Sequence, residues 1–386
     1  MSFNVLLVGA GEINFGSVEG PWNHTLRLER KLSSRLRVIA LVDPDTARAK
    51  SALEGKLASG AAPSYTRCRI FPTITEAAAG LSADERPRLV IVGAPPFARG
   101  TDISGQDLEL QLVQAFPDAA LFVEKPISSG PVDASWRVAA ELERRKTLVS
   151  VGYMLRYSAA VQKMKQILAH NNITVMGTNA RFVMAYEYAR KLPWWDKSRS
   201  GGPIIEQATH FCDLSRYFGG NIVLSSVSAH TVEHDEAPGQ LSAKRFDEEV
   251  IPPEHRLPRL TSATWKYDGG AVGALTHAIA LHGTTYDTEF EVYADGYRLK
   301  LVDPYNAPKL HVRRPGLAPE EVYSFENDDP FFGELATFID AIEQRTDTSH
   351  VLSSYNDAVR TFEFTWQIRM VSDTSAKSER ERRMTA

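Results

Sequence analysis

Short apolar runs punctuate the first part of the chain, at 5–8, 38–42, 89–92, 121–123 and 148–151, and longer stretches of helical periodicity separate them. Runs this apolar suit strands buried on both faces, so the pattern predicts a doubly wound parallel sheet flanked by helices. After Gly152 the texture changes. A helical stretch at 159–169 leads to a strand at 178–183, a polar loop and a second helix at 204–218. Alternating strands follow, and two turns mark hairpins among them: Asp268-Gly269-Gly270 separates 262–267 from 271–277, and Asp295-Gly296 separates 290–293 from 297–302. Alternation of this kind predicts an open, mostly antiparallel sheet with a polar outer face. Helices are expected at 331–343 and 355–371, and a charged, solvated tail at 377–383. The fold class is therefore α/β throughout.

One segment fits neither period. Residues 234–259 are polar and hold Pro238, Pro252, Pro253 and Pro258. A loop of that length is expected to be mobile alone and to order on substrate or at a subunit interface.

Composition narrows the function classes. Lys and Arg number 44 against 48 Asp and Glu, a net charge of −4, which leaves no basic face for a nucleic-acid backbone. Cys68 and Cys212 form no disulfide framework and match no zinc spacing, so a reducing compartment fits. The chain enters Val5-Leu6-Leu7-Val8 without the basic start and long apolar stretch of a secretory signal, and nothing approaches the roughly 18 apolar residues of a membrane helix. A soluble cytoplasmic protein with no nucleic-acid or membrane partner is expected.

The first strand ends in Gly9-Ala10-Gly11-Glu12-Ile13-Asn14-Phe15-Gly16. Its first two glycines permit a tight turn and let backbone N–H groups approach a pyrophosphate at a helix N-terminus, while Asn14 stands at the usual third glycine. Gly-x-Gly alone is also an ordinary turn. Its place after the first strand, with Asp43 closing the second, favours a Rossmann dinucleotide site that includes Gly9, Gly11, Glu12 and Ile13. Asp43 suits the ribose hydroxyls and repels a 2′-phosphate, which favours NAD over NADP. Helix capping before Pro44 is the alternative for Asp43, and Arg48 offers a 2′-phosphate some compensation, so NADP stays open.

Val123-Glu124-Lys125-Pro126 places a lysine at the C-terminal edge of the parallel sheet, where ligands bind in such folds. At this motif the chain resembles the Gfo/Idh/MocA family, the glucose-fructose oxidoreductase and inositol dehydrogenase group, whose hallmark is Glu-Lys-Pro. The resemblance continues through Gly152-Tyr153-Met154-Leu155-Arg156-Tyr157, through Ser200-Gly201-Gly202 with Glu206, His210 and Asp213, and through Asp329-Pro330-Phe331-Phe332-Gly333-Glu334-Leu335 and Asp357-Ala358. It covers nearly the whole chain.

The resemblance implies a Rossmann domain at 1–151, a substrate-binding and oligomerisation domain at 152–386, and an active site between them. Lys125, His210 and Glu206 would be catalytic, with Glu124 orienting the lysine and a cis bond before Pro126. Ala94, Pro95, Glu124 and Lys125 would join the cofactor contacts, and Arg156, Tyr157, Glu206 and His210 the substrate contacts. Arg99 stands where the family's proline-containing turn carries a histidine, which leaves the substrate class open.

Spacing gives Glu206 and His210 a reason of their own to pair, since residues four apart share a helix face. Substrate binding, a proton relay and a buried structural hydrogen bond are all open to them. A metal would need a third ligand at suitable spacing, so none is expected. Tyr186, Tyr188, Trp194 and Trp195 offer aromatic surface for a sugar ring, or for packing within the domain; Tyr186 and Trp195 are the substrate candidates among them. The expected reaction is hydride transfer between nicotinamide and a hydroxyl or carbonyl carbon of a small, sugar-like molecule. A non-catalytic dinucleotide sensor of the same fold, and a reductase of an imine or enone, are the alternatives. The exposed face of an open sheet needs cover, so a homodimer or homotetramer is expected.

Overall fold

The computed structural model describes residues 2–385 except 19, 187–191, 244–246, 284–285 and 317, together with all their side chains but those of 383–385. Contacts divide the chain into two units, Met1–Met154 with Asp329–Val359, and Leu155–Asp328 with Arg360–Ala386.

The first unit is built on β1 (Phe3–Val8), β2 (Leu36–Val42), β3 (Arg69–Phe71), β4 (Leu89–Val92), β5 (Ala120–Val123) and β6 (Val149–Val151). They pair in parallel in the order β3-β2-β1-β4-β5-β6. The order reverses between β1 and β4, and in such sheets ligands bind outside the carboxyl ends of the strands at that point. Five of the six strands fall on the apolar runs. β3 does not, because it is a three-residue edge strand with Arg69 exposed and so lacks a two-sided apolar signature.

The helix expected directly after β1 is interrupted. A single turn, Glu12–Phe15, ends at Gly16 with φ +112°, and the helix that packs on the sheet is His24–Leu32. The Asn23 side chain starts it by accepting the Leu26 N–H at 2.9 Å.

The boundary expected at 151/152 differs at the far end. Residues 329–359 belong to the first unit, where Leu335, Phe338 and Ile339 of the helix Pro330–Ile342 join the core around Leu28, Leu32, Ile91 and Phe122. An amphipathic helix announces that it has a buried face but not whose core it completes.

The second unit carries an eight-stranded sheet: β7 (Val175–Ala185), β8 (Ser228–Val232), β9 (Leu260–Lys266), β10 (Val272–Leu281), β11 (Tyr286–Ala294), β12 (Tyr297–Val302), β13 (Lys309–Arg313) and β14 (Glu321–Ser324). The order is β14-β13-β12-β11-β7-β10-β9-β8, antiparallel except for the central β7/β10 pair. Gly270 and Gly296 take the positive φ their hairpin turns need, +91° and +71°. Ala180, Phe182 and Met184 of β7 point inward. The outer face is a ladder of charge in which Arg181 reaches Asp287 at 2.8 Å and Glu289 at 3.1 Å, and Lys300 reaches Glu289 at 2.8 Å.

The polar excursion is packed where it is described. Three short turns, Ala237–Gly239, Glu248–Val250 and Pro253–His255, bury Glu248, Ile251, Leu257 and Arg259, and Arg259 donates to Glu248 and to the Gly239 carbonyl. The closing helix also runs beyond its expected end, over Tyr355–Thr385, and Arg380 in the charged stretch donates to Asp235 at 2.9 Å.

Phe338 is fully buried, with its ring 6.2 Å from that of Phe122. Phe338→Ala should therefore destabilise the first unit by about 3–5 kcal/mol. Denaturant unfolding followed by dinucleotide binding checks this; a loss under about 1 kcal/mol would show that this helix is not part of that core.

Candidate functional site

Gly9 leaves β1 with φ +93°, and a Cβ on it would lie 3.1 Å from the backbone of Gly93 and Ala94 beyond β4. Only glycine fits there. A Cβ on Gly11 would meet nothing, so the turn is open on that side. Asn14, at the third glycine position, is fully buried and donates to the carbonyls of Gly9 at 2.7 Å and Val8 at 3.2 Å. The departure from the glycine pattern thus supplies a latch that holds the turn shut. Ile13 is half-buried in the one-turn helix, where the Glu12 carboxylate accepts from Ser17 Oγ at 2.8 Å.

Asp43 is 1% exposed. It accepts from Ala10 N at 2.6 Å, from Asp45 N at 2.8 Å and from Arg48 at 2.9 and 3.0 Å. Asp43 thus holds the glycine-rich turn to the end of β2, a task separate from the ribose contact expected of it. Asp45, not Asp43, caps the following helix. A turn only glycine can make, an open side at Gly11 and a carboxylate at the β2 end fit a dinucleotide; the Gly9–Gly11 turn would hold its pyrophosphate and Asp43 its ribose.

Beyond β4, the Ala94 carbonyl accepts from Arg99 Nε at 2.8 Å. Arg99 also donates to the Ile127 carbonyl at 3.0 Å and is only 1% exposed. Arg99 is thus a buried brace between the segment Ala94-Pro95 and the segment after Lys125. Glu109 accepts from Gly100 N at 2.8 Å, and burial raises its carboxyl above the ordinary range.

Lys125 follows β5, half-buried, and the Lys125–Pro126 peptide is cis as expected. Glu124 accepts from the Lys125 N–H at 3.1 Å with one oxygen and from His24 Nε2 at 2.6 Å with the other. Burial pushes the Glu124 carboxyl up, and the His24 hydrogen bond with the charges of His24, Lys125 and Arg99 more than offsets this, holding it below its ordinary range. Sequence reasoning missed His24, since a lone histidine beyond the glycine-rich turn carries no spacing signal.

In the second unit Glu206 and His210 do not share one helix. Pro203–Glu206 is a single turn, Gln207 and Ala208 break the run, and Thr209–Gly219 begins anew. Glu206 is half-buried and accepts from Trp194 Nε1 at 2.7 Å. His210 is 8% exposed, with its ring centroid 6.2 Å from that of Tyr305. Burial, with a contribution from Glu206, pushes the Tyr305 phenol far above its ordinary value. Tyr305 lies in the link between β12 and β13 and carried no motif.

Other candidates are placed differently than expected. Tyr186 and Trp195 are 1% and 2% exposed and pack together at 4.6 Å, a wall behind Trp194 and not a free stacking surface. Tyr188 lies outside the described residues. Arg156 makes a buried bidentate pair with Asp213 at 2.6 and 2.8 Å over the Tyr217 ring, which commits it to the unit's interior, and Tyr157 is half-buried at the end of the same turn. Among the described residues no group of three or more His, Cys, Asp or Glu side chains could hold a metal ion, and no helix is long and apolar enough to cross a membrane.

Residues 3–153 match the model of an oxidoreductase family with an NAD-binding Rossmann fold, and residues 156–297 match an oxidoreductase C-terminal domain. The uncharacterized protein UNK4.17 of Schizosaccharomyces pombe is 46% identical over 94% of this chain and 90% of its own. Inositol 2-dehydrogenase 3 of Saccharopolyspora erythraea is 26% identical over 65% of this chain and 72% of its own. The structure of KijD10, a 3-ketoreductase from Actinomadura kijaniata in complex with NADP and TDP-benzene, superposes with a TM-score of 0.67 at 14% identity, covering 96% of this chain and 98% of that one.

Beside Glu206, Gln207 Oε1 lies 2.9 Å from Nε2 of His277, whose burial lowers its pKa from 6.5 to about 3. A group depressed in this way binds its proton in the unfolded chain first, so stability falls as the pH drops from 6.5 to about 3 and is unaffected above that window. His277→Gln should remove up to about 1.4 kcal/mol per pH unit from the acid-side slope. Urea midpoints at several pH values check this; equal slopes in both proteins would refute it.

Proposed function

The chain belongs to the Gfo/Idh/MocA family of NAD(P)-dependent oxidoreductases, and on that premise we propose that it passes hydride between nicotinamide and a hydroxyl or carbonyl carbon of a small polyhydroxylated substrate, with Lys125 and His210 handling the proton. The observation that carries this reading is the position of Lys125. It stands just beyond β5 at the carboxyl edge of the parallel sheet, one strand removed from the reversal between β1 and β4, the side on which Gly9 and Gly11 make the glycine-rich turn.

When bound, the nicotinamide supplies the acceptor or donor of hydride. In the oxidative direction Lys125 Nζ would take the hydroxyl proton while the carbon gives its hydride to the nicotinamide; in the reductive direction Nζ would return the proton to the carbonyl oxygen. Glu124 fixes the lysine main chain. His210 and Glu206 serve the substrate, with Trp194 holding the Glu206 carboxylate. The names of the inositol dehydrogenase and the 3-ketoreductase support a ring alcohol or its ketone as the substrate class. We further propose a cytoplasmic homodimer or homotetramer that uses the outer face of the eight-stranded sheet, checked by sedimentation velocity.

A panel of cyclitols, aldoses and sugar derivatives, followed by nicotinamide absorbance, tests the reaction class. On whichever substrate turns over, Lys125→Met should lower kcat by about 10²- to 10⁴-fold with dinucleotide binding intact, while His210→Ala should chiefly raise KM if it positions substrate. Near-normal turnover of Lys125→Met defeats the assignment.

NAD should bind more tightly than NADP. Asp43→Ser should move the preference toward NADP by about 5- to 150-fold, the effect of about 1–3 kcal/mol, and weaken both because Ala10 N loses its acceptor. Equal wild-type affinities in fluorescence titration would refute the preference.

A further inference from the structure

The glycine-rich turn and Lys125 are joined through hydrogen bonds at Asn14, Thr25, His24 and Glu124, with the chain itself linking Thr25 to His24. The Asn14 side chain closes on Gly9 and Val8, and the Asn14 carbonyl in turn accepts from Thr25 Oγ1 at 2.8 Å. Next to Thr25, at the first position of its helix, His24 donates to Glu124, whose other oxygen accepts the Lys125 N–H. His24 and Glu124 are 1% and 6% exposed. The Phe122 ring stands edge-on to the imidazole at 5.1 Å. Across the carboxylate, a Cβ on Gly152 would lie 3.0 Å from Glu124 Oε2, so a glycine leaves the room the carboxylate occupies.

Burying an imidazole is costly, and His24 Nδ1 makes no hydrogen bond among the described residues. The only hydrogen bond described for this ring is the one to Glu124. An apolar residue in the same place would fill the space beside Phe122 without that cost, so packing alone does not account for histidine here. What histidine adds is direction. It fixes one oxygen of Glu124 and thereby aims the other at the Lys125 main chain.

We propose that His24 is a positioning residue that, through Glu124, holds Lys125 in register with the dinucleotide-binding turn. The proposal rests on the reading of Lys125 given above.

Acetylation of the intact protein by acetic anhydride provides a readout that needs no substrate. Modification of Lys125 is followed by peptide mass spectrometry against the exposed Lys50, without NADH and with NADH above each variant's own dissociation constant. In the wild type NADH should protect Lys125 by about tenfold or more, the effect of about 1.4 kcal/mol. His24→Gln, whose amide nitrogen reaches the position of Nε2, should retain that protection. His24→Phe packs against Phe122 but cannot donate, and should lose most of it. Glu124→Gln supplies the second test if His24→Phe does not fold, since its neutral amide keeps the volume but weakens the same link.

Full protection in His24→Phe, or in Glu124→Gln where the former is unfolded, overturns the proposal and leaves the Lys125 mechanism standing. So does loss of protection in His24→Gln equal to that in His24→Phe, because position would then not depend on the donated bond. No protection in the wild type overturns the reading of Lys125 instead, and normal turnover of Lys125→Met confirms that second outcome separately.

Discussion

A carboxylate taken out of water needs donors around it, and the buried carboxylates of this protein meet that demand to different degrees. Asp43 gathers two backbone N–H groups and Arg48, which ties the glycine-rich turn to the neighbouring strand. Glu124 divides its oxygens between His24 and the Lys125 main chain. Asp213 holds Arg156 and accepts from Thr361 Oγ1 at 3.0 Å. Glu109 is the instructive contrast: it has one backbone donor at Gly100, its Oε1 has no partner among the described residues, and burial drives it toward the neutral acid.

Much of the architecture was legible because burial on two faces leaves a plain mark. The apolar runs located five parallel strands, and Asp-Gly turns located two hairpins of the second sheet, β9/β10 and β11/β12. β3 was not legible, since a short edge strand buries too little to need an apolar sequence. The end of the last helix was not either, because its final turns are charged and contacts such as that of Arg380 with Asp235 fix where they rest.

For the candidate site, the sequence pattern gave positions along the strands more readily than it gave geometry. Glu124, Lys125 and the glycines stand where strand ends put them, and strand ends follow directly from the hydrophobic pattern. Glu206 and His210 rested on a spacing rule that assumes an unbroken helix, and the turn at Gln207 and Ala208 removes that assumption. Arg99, Tyr186, Trp195 and Arg156 carry polar or aromatic groups that suit a ligand, yet each is spent on its own unit. A side chain's chemistry says what it can bind; only its partners say what remains to be bound. His24 and Tyr305 carry no motif at all and are visible only through their neighbours.

The return of Asp329–Val359 to the first unit has a consequence for biosynthesis and for exchange between relatives. On the ribosome the six-stranded sheet is fully translated by Val151, yet Leu335, Phe338 and Ile339 emerge nearly two hundred residues later. Until then the nascent dinucleotide-binding unit carries an uncovered apolar face while the whole second sheet is being made, which is when a chaperone would find it. For the same reason the second unit is an insert with a trailing piece, not a module appended at the end. A chimera that exchanges the second sheet must transplant 155–328 as an internal cassette and leave 329–359 with its host.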